Sequence, residues 1–152
     1  MSKYAGLFRD MGSDPAAAKG RDVLELDTSP HTQFTLLFVD DEENVLSSLK
    51  RIFLEENYTI LTATSAAKAL EIMGEQPVQL VISDHRMPSM TGAEMLKRIK
   101  ESWPETIRIM LTGYADVNSI MGAVKDGAVY KFITKPWNDE DLRLTVSLAL
   151  QQ

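Results

Sequence analysis

Residues 80–88, Leu-Val-Ile-Ser-Asp-His-Arg-Met-Pro, are the stretch that decides the fold of this chain. An apolar run ends at Asp84, and the proline at the end of the stretch marks a turn. A short apolar run that stops at a turn is typical of a buried strand in a parallel sheet. The Asp40-Asp41 pair and Lys135-Pro136 also stand where strand-like segments end. Ligands collect at this edge of an open parallel sheet, so we predict that three carboxylates and one ammonium share one pocket.

Outward from this stretch, residues 35–150 alternate between strand-like and helix-like periods. The predicted strands are Thr35 to Val39, Tyr58 to Ala63, Leu80 to Ser83, Thr106 to Leu111 and Tyr130 to Thr134. Each is followed by apolar residues at helical spacing. Because parallel strands need crossover connections, which are nearly always right-handed, the sequence predicts an α/β, doubly wound (βα)5 fold. This is a flavodoxin-like three-layer sandwich with a five-stranded parallel sheet.

Particular residues mark the ends of the predicted helices. The first helix is predicted from about Glu42 to Glu56. The prediction rests on apolar residues that recur at positions i, i+4, i+7 and i+8, namely Val45, Leu49, Ile52 and Phe53. Ser65 and Asn138 are predicted N-caps, because their side chains can accept a backbone N–H that lacks a helical partner. Gly127 is predicted to end the fourth helix in a left-handed conformation.

The composition is that of one ordinary globular domain. The chain has 152 residues, of which 44% are hydrophobic and 25% charged, and this leaves room for one domain and a short extra segment. The net charge of −6 gives little support for direct binding of nucleic acid. No segment approaches the roughly 20 apolar residues of a membrane span, and the chain has no cysteine. We therefore expect a cytoplasmic protein.

Residues 1–34 differ from the rest and are expected to be an N-terminal leader or linker. Proline, glycine and serine punctuate this segment. Its apolar residues at helical spacing predict a short amphipathic helix that is too short to be stable alone. They are Tyr4, Leu7, Phe8 and Met11. The alternative is a disordered or cloning-derived tail.

Asp40, Asp41 and Asp84 are the candidate ligands of a cation. Carboxylates that are held close together repel unless a proton or a cation joins them. Oxygen ligands without histidine or cysteine suit Mg²⁺, which typically accompanies phosphate. Lys135 can neutralise phosphoryl oxygens, and Thr112 offers a hydroxyl at the same edge. The set suits phosphoryl transfer with Asp84 as nucleophile. Taken alone, the Asp40-Asp41 pair is also typical of a helix N-terminus.

These residues belong to four motifs that carry a resemblance to a known family. The motifs are Phe38-Val39-Asp40-Asp41-Glu42, Ser83-Asp84 with Met87-Pro88 and Gly92, Leu111-Thr112-Gly113, and Lys135-Pro136. The segment from Thr35 to about Gln151 resembles the response-regulator receiver domain of two-component signalling, so residues 35–152 are expected to form this domain. The resemblance implies that Asp84 accepts a phosphoryl group from a sensor histidine kinase or phosphotransfer protein in a Mg²⁺-dependent reaction. It also implies a signalling module that is no enzyme, apart from assisting its own phosphorylation and dephosphorylation.

The resemblance further implies how the site residues divide their roles. Mg²⁺ is expected to be bound directly by Asp41, by Asp84 and by the backbone carbonyl of Arg86, with Asp40 acting mainly through water. The hydroxyl of Thr112 and the ammonium of Lys135 are expected to bind the phosphoryl oxygens. The peptide bond before Pro136 is expected to be cis.

A switch of an interaction surface is implied as well. In this family the threonine, here Thr112, moves toward the phosphate while an aromatic residue on the fifth strand turns inward. That aromatic is Phe132, and the alternative is that Phe132 is only a core residue. Arg86 and Tyr114 occupy positions that tune how readily water reaches the acyl phosphate. His85 has no metal-ligand spacing and is expected not to be catalytic.

The C-terminal part carries the predictions about partners. Residues 130–137 are similar to receivers fused to HD-GYP phosphodiesterases or to hybrid signalling proteins, so a DNA-binding output is not assumed. An output domain is expected beyond Gln152. Leu144, Leu148 and Leu150 extend the apolar surface of the last helix, which predicts a homodimer contact or a contact with an output helix. The alternative is a broad core face.

The second candidate function is a Mg²⁺-dependent aspartyl phosphohydrolase of small phosphate esters. Such enzymes usually place a second aspartate two residues after the nucleophile, where it acts as general acid. Arg86 takes that position here, and this counts against the hydrolase.

Overall fold

Five strands and five α-helices alternate along residues 33–151, the part of the chain that the computed structural model describes. In chain order they are β1 (Phe34–Val39), α1 (Glu43–Ile52), β2 (Tyr58–Ala63), α2 (Ala66–Glu75), β3 (Leu80–Asp84), α3 (Gly92–Ser102), β4 (Ile107–Gly113), α4 (Val117–Lys125), β5 (Lys131–Lys135) and α5 (Asp139–Leu150). A single 3-10 turn, Tyr114–Asp116, leads from β4 into α4. The short helix predicted within residues 1–34 lies outside the described residues.

The strands form one parallel sheet in the order β2-β1-β3-β4-β5. The register pairs Val39 of β1 with Ser83 of β3, and Asp84 at the end of β3 with Leu111 of β4. The carboxyl ends of the strands therefore meet at one edge of the sheet. The predicted doubly wound (βα)5 fold with a five-stranded parallel sheet is confirmed.

Two apolar clusters fill the space between the sheet and the helices. Alternate side chains of a strand point to opposite faces, so Leu37 and Val39 of β1 enter one cluster while Leu36 and Phe38 enter the other. Helices α2, α3 and α4 cover the first face, and α1 and α5 cover the second. Burial of one such leucine or phenylalanine contributes about 1.5–3 kcal/mol to the stability of the fold. Because both clusters join side chains from neighbouring strands, this packing helps to keep the strands in register.

The predicted caps are confirmed where the chain supplies short polar side chains. Ser65 and Asn138 each accept the backbone N–H three residues later, at 3.1 and 2.9 Å. Thr91 caps α3 in the same way at 3.2 Å, which the sequence did not predict. Gly127 has a φ of 78°, the left-handed conformation expected after the end of α4.

Several element boundaries differ from the prediction by one residue or more. Helix α1 ends at Ile52 rather than near Glu56, because Phe53 leaves the helical conformation and buries its ring beside that of Phe38, with centroids 5.6 Å apart. Strand β4 continues to Gly113, since its last residues pair with β5. Strand β5 runs from Lys131 to Lys135, one residue later than predicted.

Helix α5 leaves part of its apolar surface uncovered in the described residues. Leu142, Val146 and Ala149 are buried, whereas the side chains of Leu144 and Leu148 are 58% and 52% exposed. Leu150 is partly buried against the core, so the prediction of an extended apolar surface holds for two of its three leucines. Within residues 33–151, no helix is long and apolar enough to cross a membrane.

Candidate functional site

The predicted site residues lie at the carboxyl ends of four strands. Asp40 and Asp41 directly follow β1, and Asp84 is the last residue of β3. Thr112 lies in β4, and Lys135 ends β5. Because the four strands are parallel and in register, each strand end delivers its side chain to the same edge. The structure thus brings the predicted acids and the lysine together.

The three carboxylates form a compact group. One oxygen from each of Asp40, Asp41 and Asp84 lies within 4.8 Å of the others. The ammonium of Lys135 donates to Oδ1 of Asp84 at 3.0 Å and lies 3.7 Å from Oδ2 of Asp40. Asp40 and Asp84 are buried, whereas Asp41 is exposed. The pocket is therefore open to solvent at Asp41 and closed around the other two acids.

The electrostatics of the pocket penalise charge on Asp40. Burial, together with the nearby charge of Asp84, raises the pKa of Asp40 above its usual value of 3.8. The backbone N–H of Glu42 donates to Oδ1 of Asp40 at 2.9 Å, and this hydrogen bond opposes the rise. A bound cation would stabilise the charged form of a carboxylate in such a group.

Lys135 supplies part of that positive charge. Its burial by itself lowers the pKa of the ammonium, but the hydrogen bond to Asp84 and the charges of Asp84, Asp40 and Glu42 outweigh burial. The pKa of Lys135 is consequently raised above 10.5. The side chain stays protonated at neutral pH and faces two of the three carboxylates, which leaves the pocket with net negative charge.

The donor set fits a hard divalent cation. All three side chains offer only oxygen, the ligand type that Mg²⁺ prefers. Among the described residues, Oδ2 of Asp40 is buried and accepts no hydrogen bond, although Lys135 lies near it. A buried carboxylate oxygen without a hydrogen bond is costly unless a cation satisfies it. The residues present therefore fit the metal that the sequence predicts.

The loop after β3 is held close to the phosphoacceptor candidate by backbone contacts. The amide of Gly92 donates to the carbonyl of His85 at 2.8 Å. A Cβ atom at position 92 would overlap the backbone carbonyl of Asp84, so only glycine allows this approach. Within the loop, Ser89 has a φ of 72°, which is uncommon for a residue with a side chain. The Lys135–Pro136 peptide is cis, as predicted.

The two predicted switch residues lie on neighbouring strands. Thr112 is fully buried, and its hydroxyl donates to the carbonyl of Gly113 at 3.3 Å. Phe132 is half-buried, packs against the apolar cluster under α2 to α4, and lines a groove of roughly 810 Å³ beside α5. Its surroundings are thus those of a core residue on one side and of a surface groove on the other.

Two arginines from other elements make contacts at the ends of α4 that the sequence analysis missed. Arg86 pairs with Asp116 in a two-pronged ion pair between the loop after β3 and the turn before α4. Arg108 is buried in β4 and donates to four backbone carbonyls, those of Pro104, Thr106, Gly127 and Ala128. A charged residue inside the apolar run of β4 was the available signal for Arg108. No pattern in the sequence indicates the pair of Arg86 with Asp116.

Comparison with known proteins identifies the family of the chain. The chain matches the family model described as "Response regulator receiver domain" over residues 36–147. It is similar to the hydrogenase transcriptional regulatory protein HoxA of Cupriavidus necator, with 40% identity over 119 residues. That match covers 78% of this chain and 24% of HoxA, so the chain spans about a quarter of the length of this curated relative.

Solved structures of receiver domains are also similar to this chain. The signal receiver domain of an HD domain-containing protein from Pseudomonas fluorescens Pf-5 is 36% identical, with a TM-score of 0.75, over 78% of this chain and 95% of that chain. A response regulator receiver domain protein from Clostridium thermocellum is 30% identical, with a TM-score of 0.73, over 78% of this chain and 94% of that one.

Proposed function

The chain belongs to the response regulator receiver domain family, and from this premise we propose that Asp84 is the residue that takes the phosphoryl group. As a receiver domain of two-component response regulators, the chain is a phosphoacceptor signalling module. The observation that carries the assignment is the Lys135 ammonium, which holds Oδ1 of Asp84 at 3.0 Å inside a group of three carboxylates. Asp84 is the member of that group at the end of a central strand.

The proposed reaction transfers the phosphoryl group of a phosphohistidine to a carboxylate. An oxygen of Asp84 attacks phosphorus and forms the new P–O bond, while the P–N bond to the donor imidazole breaks. The imidazole nitrogen keeps that electron pair and takes up a proton. The product is an acyl phosphate on Asp84. The chain assists this step by positioning and by charge, which is its only proposed catalysis.

The surrounding residues have proposed roles in the same step. Mg²⁺ would be held by Asp41, Asp84 and the backbone carbonyl of Arg86, with Asp40 acting through water, and it would neutralise charge between the carboxylate and the phosphoryl oxygens. Lys135 would bind the phosphoryl oxygens from the opposite side. Its raised pKa supports this role, because the ammonium keeps its charge throughout the neutral range.

The proposed output is a change of surface on the side of β5. The Thr112 hydroxyl would move to the phosphoryl group, and Phe132 would turn toward the space that is left. The support for this is the placement of Phe132 between the core and the groove beside α5. A phenylalanine has no hydroxyl, so packing alone would stabilise the inward position.

The proposed partners follow from the family and from the exposed surface. Receiver domains interact with histidine kinases, and a sensor histidine kinase or phosphotransfer protein is the proposed phosphate donor. Relatives such as HoxA are about four times longer than the matched segment, so we propose a C-terminal output domain for the natural protein. Leu144 and Leu148 on α5 are the proposed contact with a second copy. A cytoplasmic location is proposed from the lack of cysteine.

The hydrolase alternative gains no support from the site. Its general acid would stand two residues after Asp84, where Arg86 instead directs its guanidinium to Asp116. A guanidinium does not give up a proton at neutral pH. The phosphate on Asp84 is therefore better explained as a signal than as an intermediate of turnover.

The test is phosphorylation by acetyl phosphate in the presence of Mg²⁺. We expect one slowly lost phosphoryl group per chain, and no phosphorylation in Asp84→Asn. Asp141→Asn, which changes an exposed acid on α5, is the matched control and should behave like the unaltered protein. Rapid multiple turnover of varied phosphomonoesters would contradict the proposal and favour the hydrolase.

A further inference from the structure

The ion pair between Arg86 and Asp116 joins the two loops that flank the pocket. Nε of Arg86 donates to Oδ2 of Asp116 at 2.7 Å, and Nη2 donates to Oδ1 at 2.8 Å. Arg86 stands two residues after Asp84, and Asp116 is the last residue of the 3-10 turn between β4 and α4. Two short parallel hydrogen bonds fix orientation as well as distance. The first turn of α4 is thereby tied to the phosphoacceptor loop.

The Arg86–Asp116 pair contributes more to the relative orientation of the two loops than to the free energy of unfolding. The Arg86 side chain is 76% exposed and that of Asp116 is 14% exposed, so water and salt screen much of the attraction. Both residues line a cavity of roughly 420 Å³ together with Asp41. The contact cross-links the loop after β3 and the turn before α4, and an exposed ion pair of this kind can open without disturbing the core.

The opposite end of α4 is anchored by a different set of contacts. The ammonium of Lys100 on α3 donates to the carbonyl of Asp126. Arg108 donates to the carbonyls of Gly127 at 3.1 Å and Ala128 at 2.9 Å. These cations neutralise the negative end of the helix dipole and tie it to β4 and α3. Loss of the Arg86–Asp116 pair would therefore loosen the start of α4, where Ile120 remains buried in the core, while its end stays fixed.

A phosphoryl group on Asp84 would compete with Asp116 for the guanidinium. It adds a charge of about −1.5 to −2 close to the loop that carries Arg86. Arg86 follows Asp84 by two residues and lines the same cavity as Asp41. Hydrogen bonding and charge from Asp116 raise the pKa of Arg86, and the charge of Asp84 contributes in the same direction. The planar fork of arginine binds phosphate oxygens as well as carboxylate oxygens.

We propose that Arg86 and Asp116 form a latch that holds the start of α4 in the unphosphorylated protein, and that the phosphoryl group on Asp84 opens it by taking Arg86 from Asp116. Both are positioning residues in this account, since they act through the loop and the helix. The opening step rests on the proposed function, whereas the closed latch does not. Helix α4 is thus an element whose position reports the state of Asp84.

The first arm of the test needs no phosphate. Amide hydrogen exchange is measured over the first turn of α4, residues 117–120, in the full chain. Asp116→Asn and Arg86→Gln should each exchange about two- to fivefold faster than the unaltered protein, the range expected for loss of an exposed ion pair. The charge-reversed double variant Arg86→Asp with Asp116→Arg should restore slow exchange.

Glu71→Gln is the matched control. It removes an exposed ion pair, with Lys68, that lies within α2 and joins no two elements. Exchange over residues 117–120 should not change in this variant. Equal exchange in Asp116→Asn, Arg86→Gln and the unaltered protein would overturn the latch. Because Arg86→Gln alters an exposed side chain, it keeps the test open if Asp116→Asn does not fold.

The second arm adds acetyl phosphate and Mg²⁺. In the unaltered protein, exchange over residues 117–120 should rise toward the level of Asp116→Asn, while that variant should change little. A phosphorylated protein with unchanged exchange would overturn the opening step. A protein that takes no phosphate would instead contradict the proposed function, and the first arm would still decide whether the closed latch exists.

Discussion

At the scale of single residues, the pocket holds a carboxylate, Asp40, at a position where burial penalises its charged form. Asp40 is 2% exposed, and burial with the charge of Asp84 raises its pKa. The charged form of Asp40 therefore costs free energy in the folded protein until a cation compensates it. Under the proposed metal-binding role, a bound cation would offset this loss of stability.

Replacement of Asp40 by asparagine tests this cost. An acid whose pKa is raised on folding destabilises the protein at pH values above its folded pKa, and the penalty disappears as the pH falls through that pKa toward the ordinary value of 3.8. Without Mg²⁺, Asp40→Asn should therefore raise the free energy of unfolding at pH 7 by about 1 kcal/mol. The gain should vanish near pH 4.

Urea unfolding at pH 7 and at pH 4 measures the difference. Asp139→Asn, at an exposed acid in the first turn of α5, is the control, and it should lack the gain at pH 7. An Asp40→Asn protein less stable than the unaltered one at pH 7 without Mg²⁺ would show that the charge of Asp40 is satisfied within the chain.

Gly92 sets how closely the loop approaches Asp84. The Cβ of alanine would overlap the backbone carbonyl of Asp84, which no side-chain rotation can relieve. Gly92→Ala should lower the free energy of unfolding by about 2–3 kcal/mol and slow phosphorylation. Gly74→Ala in α2 meets no atom within 4 Å, so it should stabilise the protein by about 1 kcal/mol. Equal effects of the two variants on urea unfolding would count against the close contact.

The sequence predicted the acids and the lysine because their position relative to the strands is local information. Asp84 and Lys135 each close an apolar run, and parallel strands bring such ends together. The partner of Arg86 is 30 residues away in a turn with no distinguishing pattern, so only the folded chain reveals it. The same holds for Gly92, whose constraint is a backbone contact with another segment.

At the scale of elements, β4 carries a buried cation that joins it to the end of α4. Arg108 is 9% exposed, and burial lowers its pKa from the ordinary value. Its donors satisfy carbonyls at Gly127 and Ala128 in addition to those of Pro104 and Thr106. These contacts take the place of a carboxylate partner in the part of the chain that the structure describes.

Arg108→Met should therefore destabilise the protein more than the loss of a surface charge does. Methionine keeps the apolar stem but leaves buried carbonyls unpaired, which should cost about 3 kcal/mol. Arg98→Met on α3, where the side chain is 55% exposed, should change the free energy of unfolding by less than about 0.5 kcal/mol. Similar shifts of the urea midpoint in both variants would contradict the anchoring role of Arg108.

Element types were predictable where the apolar period was clear, and element ends were not. The fourth strand was predicted two residues short, because pairing with β5 extends it to Gly113. The first helix was predicted too long, because no glycine, proline or asparagine marks its end and Phe53 turns into the core instead. Tertiary contacts decided both ends, and a single segment does not encode them.

At the scale of the whole molecule, the proposed boundary separates a leader at 1–34 from the receiver domain at 35–152. Strand β1 begins at Phe34, one residue before the proposed boundary, and the ring of Phe34 lies 6.4 Å from that of Tyr58. Deletion of residues 1–33 should therefore leave the urea midpoint and phosphorylation unchanged. Deletion of residues 1–39 removes a central strand and should abolish folding. A protein that unfolds on the shorter deletion would refute the boundary.

The alternation of five strands and five helices made the overall fold predictable, since few topologies satisfy short, right-handed crossovers. The order of the sheet then fixes which loops meet, and with them the pocket at Asp84. The coupling between that pocket and α4 was not predictable, because it depends on side chains from separate loops. The acidic pocket could thus be predicted from local patterns in the sequence, whereas the contact between its loop and α4 is seen only in the folded chain.

The most direct measurement is the position of the phosphoryl group itself. After treatment with acetyl phosphate and Mg²⁺, borohydride reduces an aspartyl phosphate to homoserine, which peptide mass spectrometry locates. We predict homoserine at position 84 alone, only when Mg²⁺ is present, and not in Asp84→Asn. Homoserine at Asp40 or Asp41, or at no position in the phosphate-treated protein, would contradict the assignment of Asp84 as phosphoacceptor.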